Sequence, residues 1–239
     1  MKKVILSGMV LFLAAAGFAQ SKVGETINNT TKAVGNSINK AATDVTTKVK
    51  EQAFGVKLGA NFSSTNGNLA TITPGADPKM KLGLLMGIYS QFQLSEGLRL
   101  QPELLYSAEG NIIDGPLGAN NTMVTVLRNK INYINLPLML QFTKGSGFYF
   151  EAGPQIGFRL SAKSKKEEFP GQPSAVTDLK KNTKGTAFSL GAGAGYEMAS
   201  GLGIGVRYMF GLNDISTTSS SLKSNVLSLS LMYRFKDRD

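Results

Sequence analysis

From residue 54 onward, apolar and polar side chains alternate along the chain with a period of two, and the pattern recurs eight times. It predicts strands over 54–62, 81–94, 98–109, 130–143, 148–161, 186–198, 202–212 and 225–235. In the first seven, the even positions carry large apolar groups such as Phe54, Leu58, Leu84, Ile88, Leu138, Leu190 and Ile204. In the last, "VLSLSLMYRF", Leu227, Leu229, Leu231, Tyr233 and Phe235 share one face. The connections alternate as well. "SEG" (95–97), "KGSG" (144–147) and "ASG" (199–201) are tight turns, whereas 63–80, 110–129, 162–185 and 213–224 are long and polar. Short turns therefore gather at one end of the sheet and long loops at the other.

The opposite face carries Lys57, Lys81, Arg99, Glu103, Glu151, Arg159, Glu197, Arg207 and Arg234, interspersed with glycine. Turned toward hydrocarbon at about 2 kcal/mol each, these nine charges would cost about 18 kcal/mol, more than the roughly 5–15 kcal/mol that holds a domain folded. They must face a lumen or water. Aromatic residues form two groups on the apolar face: Phe54, Phe92, Phe142, Phe148, Phe150, Tyr196, Tyr233 and Phe235 toward the short turns, and Phe62, Tyr106, Phe158, Phe188, Tyr208 and Phe210 toward the long loops. Two aromatic belts flanking an aliphatic band match the two interfaces of a bilayer. The fold class expected is all-β: an eight-stranded antiparallel up-and-down transmembrane β-barrel over 53–235.

So narrow a barrel accepts large inward groups only beside small ones. If the 199–201 turn pairs residues whose numbers sum to about 400, Gly193 lies opposite Arg207. Lys57, Arg99, Glu103, Glu151, Arg159, Glu197, Arg207 and Arg234 are expected to make a polar network filling the lumen, because an unpaired buried charge is expensive. Which carboxylate meets which cation stays open. Pro102, Pro137 and Pro154 fall within strands and lack the ladder donor, so bulges are expected there.

The amino end, "MKKVILSGMVLFLAAAGFAQ", has two lysines, a short apolar run and small residues at 17 and 19, the layout of a cleaved secretory signal over 1–19. Residues 20–52 align at a period of eleven, with Val23, Val34 and Val45 on one stripe. This leader is either an amphipathic helix, resting on the membrane or capping the barrel, or a segment without stable structure. Residues 236–239 form a charged tail. The net charge of +10, or +8 without Lys2 and Lys3, belongs to an exported chain that meets anionic headgroups and glycans before nucleic acid, which is not expected as a partner. No cysteine or histidine is present. That removes disulfides, thiolate metal sites and the usual general base. Glu103 and Glu151 are expected to be structural ion pairs, so no catalytic residue, metal ligand or cofactor is assigned.

The segments "LQPELLYSAEG", "INYINLPLMLQF", "FYFEAGPQIGFRL", "FSLGAGAGYE", "GVRYMFGLNDI" and "LSLSLMYRF" resemble successive strands of the PorT-like outer-membrane β-barrel family over 54–235. The resemblance implies residence in a bacterial outer membrane and makes the three prolines family features. One branch of that family takes part in type IX secretion and gliding. The final strand looks like the aromatic signal read by the barrel-assembly machinery, with Tyr233 and Phe235 as its aromatics, although "KDRD" follows it. Both termini are expected in the periplasm. On the outer side, Lys163, Lys165, Lys166, Lys180, Lys181 and Lys184 outnumber Glu167, Glu168 and Asp178. They form either a solvated loop or a contact for lipopolysaccharide phosphates and acidic glycans. Two function classes follow: a non-enzymatic plugged scaffold that meets outer-membrane lipid and docks envelope protein partners, and a narrow channel for small solutes.

Overall fold

The structure, a computed structural model, describes residues 52–67, 77–116, 124–145, 147–167, 175–180, 183–215 and 222–235. The expected signal (1–19), the leader up to residue 51, Lys181 and the tail 236–239 lie outside the described residues.

Among the described residues there are nine strands: β1 (Gln52–Gly67), β2 (Asp77–Ser95), β3 (Leu98–Pro116), β4 (Val124–Lys144), β5 (Phe148–Glu167), β6 (Ala175–Asp178), β7 (Thr186–Glu197), β8 (Leu202–Gly211) and β9 (Leu222–Arg234). Eight of them close into an antiparallel ring in the order β1, β2, β3, β4, β5, β7, β8, β9 and back to β1. The ninth, β6, is not a stave. It pairs with Lys163–Lys166 at the far end of β5. Closure leaves the staves without a free edge and satisfies their backbone groups within the ring, which is what hydrocarbon demands.

Period two divides the wall as the side-chain chemistry requires. Leu58, Ile88, Leu231 and Phe150 stand outward and exposed, the last at 68%, while Lys57, Glu103, Glu151 and Arg207 on the other face are all below 8%. Glycines end the tight turns with φ in the left-handed region, Gly97 at 79° and Gly201 at 92°, where a side chain would be strained. Gly193 lies opposite Arg207 across β7 and β8. Phe92 departs from its belt, being 2% exposed.

Two expectations need correction. The long-loop ends of the strands run further than the apolar alternation does: β3 and β4 stay paired out to Pro116 and Val124, and β5 continues to Glu167. These extensions are β-paired, so backbone hydrogen bonding carries the strands beyond the expected alternation. The prolines do not sit at bulges. Pro102 opposite Leu138, Pro137 opposite Gln155 and Pro154 opposite Leu190 keep the register of their ladders. Each missing donor is absorbed by a local gap in bridging, not by an inserted residue. The register shifts lie elsewhere, in β2–β3 at Met80/Leu85 and Gln93/Ser95 and in β4–β5 at Asn132/Tyr133.

Candidate functional site

Alternation delivers the charged side chains to the lumen, and ring closure decides who meets whom. Numbering staves round the ring, β1, β3, β5 and β8 stand at quarter turns, and each contributes one charge to a central cluster. Arg207 donates from Nη1 and Nη2 to the two oxygens of Glu103, at 2.7 and 2.8 Å, and from Nε to Glu151 at 2.6 Å. Lys57 Nζ lies 2.6 Å from Glu103. Gln101 also donates to Glu103, and Gln141 donates to the second oxygen of Glu151 at 3.0 Å. Arg207 fits because Gly193 faces it; a Cβ at Gly193 would come within 3.1 Å of the Glu151 carboxylate.

Toward the short turns a second cluster surrounds Glu197. It accepts from Arg234 at 2.7 Å, from Arg99 at 3.3 Å and from Gln91 at 3.2 Å. Gln91 also donates to Gln101 at 2.8 Å, joining the two clusters. Buried Tyr89, Tyr149 and Met232 fill the space beside them.

Toward the long loops Lys81 Nζ donates to the Glu109 backbone carbonyl at 3.1 Å, and the lumen holds the Glu109 carboxylate. That carboxylate accepts from Ser107, Asn135 and Ser224 at 2.8, 3.2 and 3.2 Å, while Asn61 bridges Ser107 and Ser228. A void of about 20 Å³ remains between Glu109, Lys57 and Arg207, room for about one water and no larger solute. Above it, Ile131, Tyr133, Ala162 and Ile215 pack together with Leu179 and Ala187. Arg159 holds the chain over this apolar cap by donating to the backbone carbonyls of Lys180 and Thr183, the former at 3.0 Å.

The structure thus brings Lys57, Glu103, Glu151 and Arg207 into one cluster and Arg99, Glu197 and Arg234 into another, with Arg159 apart from both at the cap. Sequence reasoning missed Glu109, Gln91, Gln101, Gln141 and Asn61. All share the inward parity of their strands, and that parity is the signal that finds them.

The lysines of 162–185 are not one loop. Lys163 and Lys165 are exposed on β5, and Lys166 occupies the next position of that strand; Lys180 and Lys184 are exposed beyond β6. At the other end, Tyr233 and Phe235 stand outward with ring centroids 5.6 Å apart, edge to face. Phe235 N–H donates to Phe54 C=O at 2.8 Å, fastening the seam where β9 meets β1.

A family model described as "Outer membrane protein beta-barrel domain" matches residues 18–217, a span that takes in the leader and stops short of β9. Among solved structures, the chain is similar to Neisserial surface protein A (NspA), at 13% identity and TM-score 0.44, covering 78% of this chain and 100% of that one. It is also similar to Ail, the attachment invasion locus protein of Yersinia pestis, solved with the heparin analogue sucrose octasulfate, at 15% identity, TM-score 0.42 and coverage of 77% and 99%. The amino-terminal β-barrel domain of Pseudomonas aeruginosa OprF aligns at 12% identity and TM-score 0.33, covering 77% and 100%. No curated protein sequence matches the chain significantly.

Proposed function

The chain belongs to the outer membrane protein beta-barrel domain family, and from that premise we propose that it is a non-enzymatic barrel with a closed lumen, a scaffold that works through its lipid-facing wall and outer rim. One observation carries the reading: Arg207, Glu103, Glu151 and Lys57 join four staves at quarter turns across the lumen. A solute passage along the axis would have to break at least two of those pairs, and separating a buried pair costs about 3–5 kcal/mol. The apolar cap under Arg159 closes the outer end a second time.

In this reading the surface lysines meet anionic groups outside the cell and the rim or leader docks envelope partners. The strand segments quoted above favour the narrower PorT-like assignment, and with it a partner role in secretion or gliding. The same reading puts both termini in the periplasm; it is supported by β1 beginning and β9 ending beside each other at the short-turn end, Gly55 opposite Arg234, because short turns are periplasmic in barrels of this kind.

Purified full-length protein reconstituted in a planar bilayer tests the closed lumen. The expected result is insertion with no unit conductance. Steady single-channel steps from the unmodified protein would replace the scaffold reading with that of a narrow channel.

A further inference from the structure

We infer that the outward face of the β4–β5 hairpin, centred on Lys130 and Lys163, seats the phosphate groups of an anionic lipid in the outer leaflet. The inference rests on the outer-membrane reading above and goes beyond it by naming a partner and a place, including two β4 cations that lie outside the basic loop.

The place is made by a bulge. Up to Leu160 the even residues of β5 face outward, Phe158 and Leu160 being exposed at 38% and 50%. Tyr133 then pairs with Arg159 and Asn132 with Ser161, so Leu160 is an extra residue and parity reverses. Ala162 is turned inward, fully buried under the cap, and Lys163 and Lys165 are turned outward and exposed. Without the bulge both lysines would point into the lumen.

The reversal sets cation against cation. Lys130 lies directly opposite Lys163, and two residues further out Arg128 lies directly opposite Lys165; all four are exposed. Directly opposed like charges weaken a strand pair, and neither Lys130 nor Lys163 has an ion pair among the described residues. Asp178, across from Lys163 on β6, accepts the Lys180 amide through Oδ1 and makes no ion pair with Lys163. An anion placed between the two strands relieves the repulsion.

Height selects the anion. Lys163 follows Leu160 by three residues and Lys130 precedes Ile134 by four, which is roughly 10–13 Å of strand beyond those outward apolar groups. That is the level of the headgroups, on the side of the wall that lipid touches. A lipid with its acyl chains along Ile134, Phe158 and Leu160 presents its phosphates at this point, whereas a soluble glycan or protein would approach from the rim.

The test is native mass spectrometry of the full-length protein released from bilayers that contain lipid A with both phosphates, or the same lipid dephosphorylated. Unmodified protein is expected to retain the phosphorylated lipid, and Lys130→Gln/Lys163→Gln to hold it about thirtyfold less well, at about one surface contact per lysine. The dephosphorylated lipid should bind unmodified protein no better than the variant binds the phosphorylated one, and excess inorganic phosphate should not displace the lipid. Each single variant, read at about fivefold, keeps the test available if the double variant fails to fold. Equal retention by variant and unmodified protein, indifference to the phosphates, or displacement by free phosphate would overturn the inference. Failure of the barrel to enter bilayers at all would instead sink the membrane reading on which it rests.

Discussion

Arg207 on β8 grips Glu103 on β3, the stave diametrically opposite, with two guanidinium nitrogens 2.7 and 2.8 Å from the two carboxylate oxygens. Lys57 and Glu151 complete the cluster from the staves a quarter turn to either side. Arg207 therefore ties three staves together directly, and Lys57 adds the fourth through Glu103; none of the four is a neighbour of another in the ring. Replacing Arg207 with Met leaves Glu151 without a cation within bonding distance and Glu103 with Lys57 alone. The expected loss is about 3–5 kcal/mol, because the stranded carboxylates stay buried. It should be read as a lowered urea midpoint for unfolding of the barrel in lipid vesicles. Neutralising all four positions together (Lys57→Met, Glu103→Gln, Glu151→Gln, Arg207→Met) should cost much less than the single change, since no charge is then left unpaired.

The hydroxyl end of Tyr149 lies against Gly195 on β7 and Gly205 on β8. A Cβ at Gly205 would stand 2.8 Å from the Tyr149 hydroxyl, with its next neighbours at 3.5 Å or more. Gly205→Ala should therefore destabilise the barrel by about 1 kcal/mol through overpacking. Tyr149→Phe removes the clashing oxygen at the cost of its 3.8 Å contact with Met232 Sδ. The double variant should be more stable than the sum of the two single effects, a non-additivity measurable from the same urea midpoints.

Arg159 fastens the segment after β6 to the wall, through the carbonyls of Lys180 and Thr183 and through its own N–H to Gly185 C=O at 2.9 Å. Arg159→Ala keeps the backbone bond and loses both side-chain bonds. The segment should then be cut faster by trypsin at Lys180 or Lys184 in intact vesicles, by a factor of about ten for the loss of roughly 1.5 kcal/mol of charge-assisted hydrogen bonding. The barrel's urea midpoint should be nearly unchanged, which separates a latch on the cap from a general support of the fold.

The wall was legible because period two and the high cost of a charge in lipid act on every strand alike. The inward faces of Lys57, Glu103, Glu151 and Arg207 follow from parity alone, and so does the Gly193–Arg207 pair once the 199–201 turn is recognised. The partner choices were not legible. Arg207 meets Glu103 only because eight staves close with one particular stagger, and no local pattern encodes that stagger. Glu109 shares the parity of Glu103 yet pairs with hydroxyls and an amide, so the habit of looking for ion pairs passes over it. The bulge at Leu160 leaves no mark in "FRLSAK", which has no Gly or Pro to signal it, and the outward turn of Lys163 was hidden with it. The prolines misled in the other direction. A missing donor suggests a bulge, but the register runs unbroken through Pro102, Pro137 and Pro154.

Phe235 offers a way to separate folding from delivery. Its ring is 49% exposed on the lipid-facing side and meets Tyr233 edge to face, so it adds little to the packed interior. Its backbone N–H, by contrast, closes the β9–β1 seam onto Phe54 C=O, and that bond survives any side-chain change except proline. Phe235→Ala should therefore lower stability by no more than about 1 kcal/mol, and the protein refolded from urea into detergent should show nearly the midpoint of the unmodified chain. If the ring is part of a recognition signal for assembly, the same variant expressed in cells should reach the outer-membrane fraction at a several-fold lower level, measured by the shift between heated and unheated samples on a gel. Phe235→Tyr, which keeps an aromatic at the position, should restore delivery. Equal delivery of the Ala variant would mean that the closing strand is read without its last aromatic. A loss of both refolding and delivery would make Phe235 a structural residue of the seam instead.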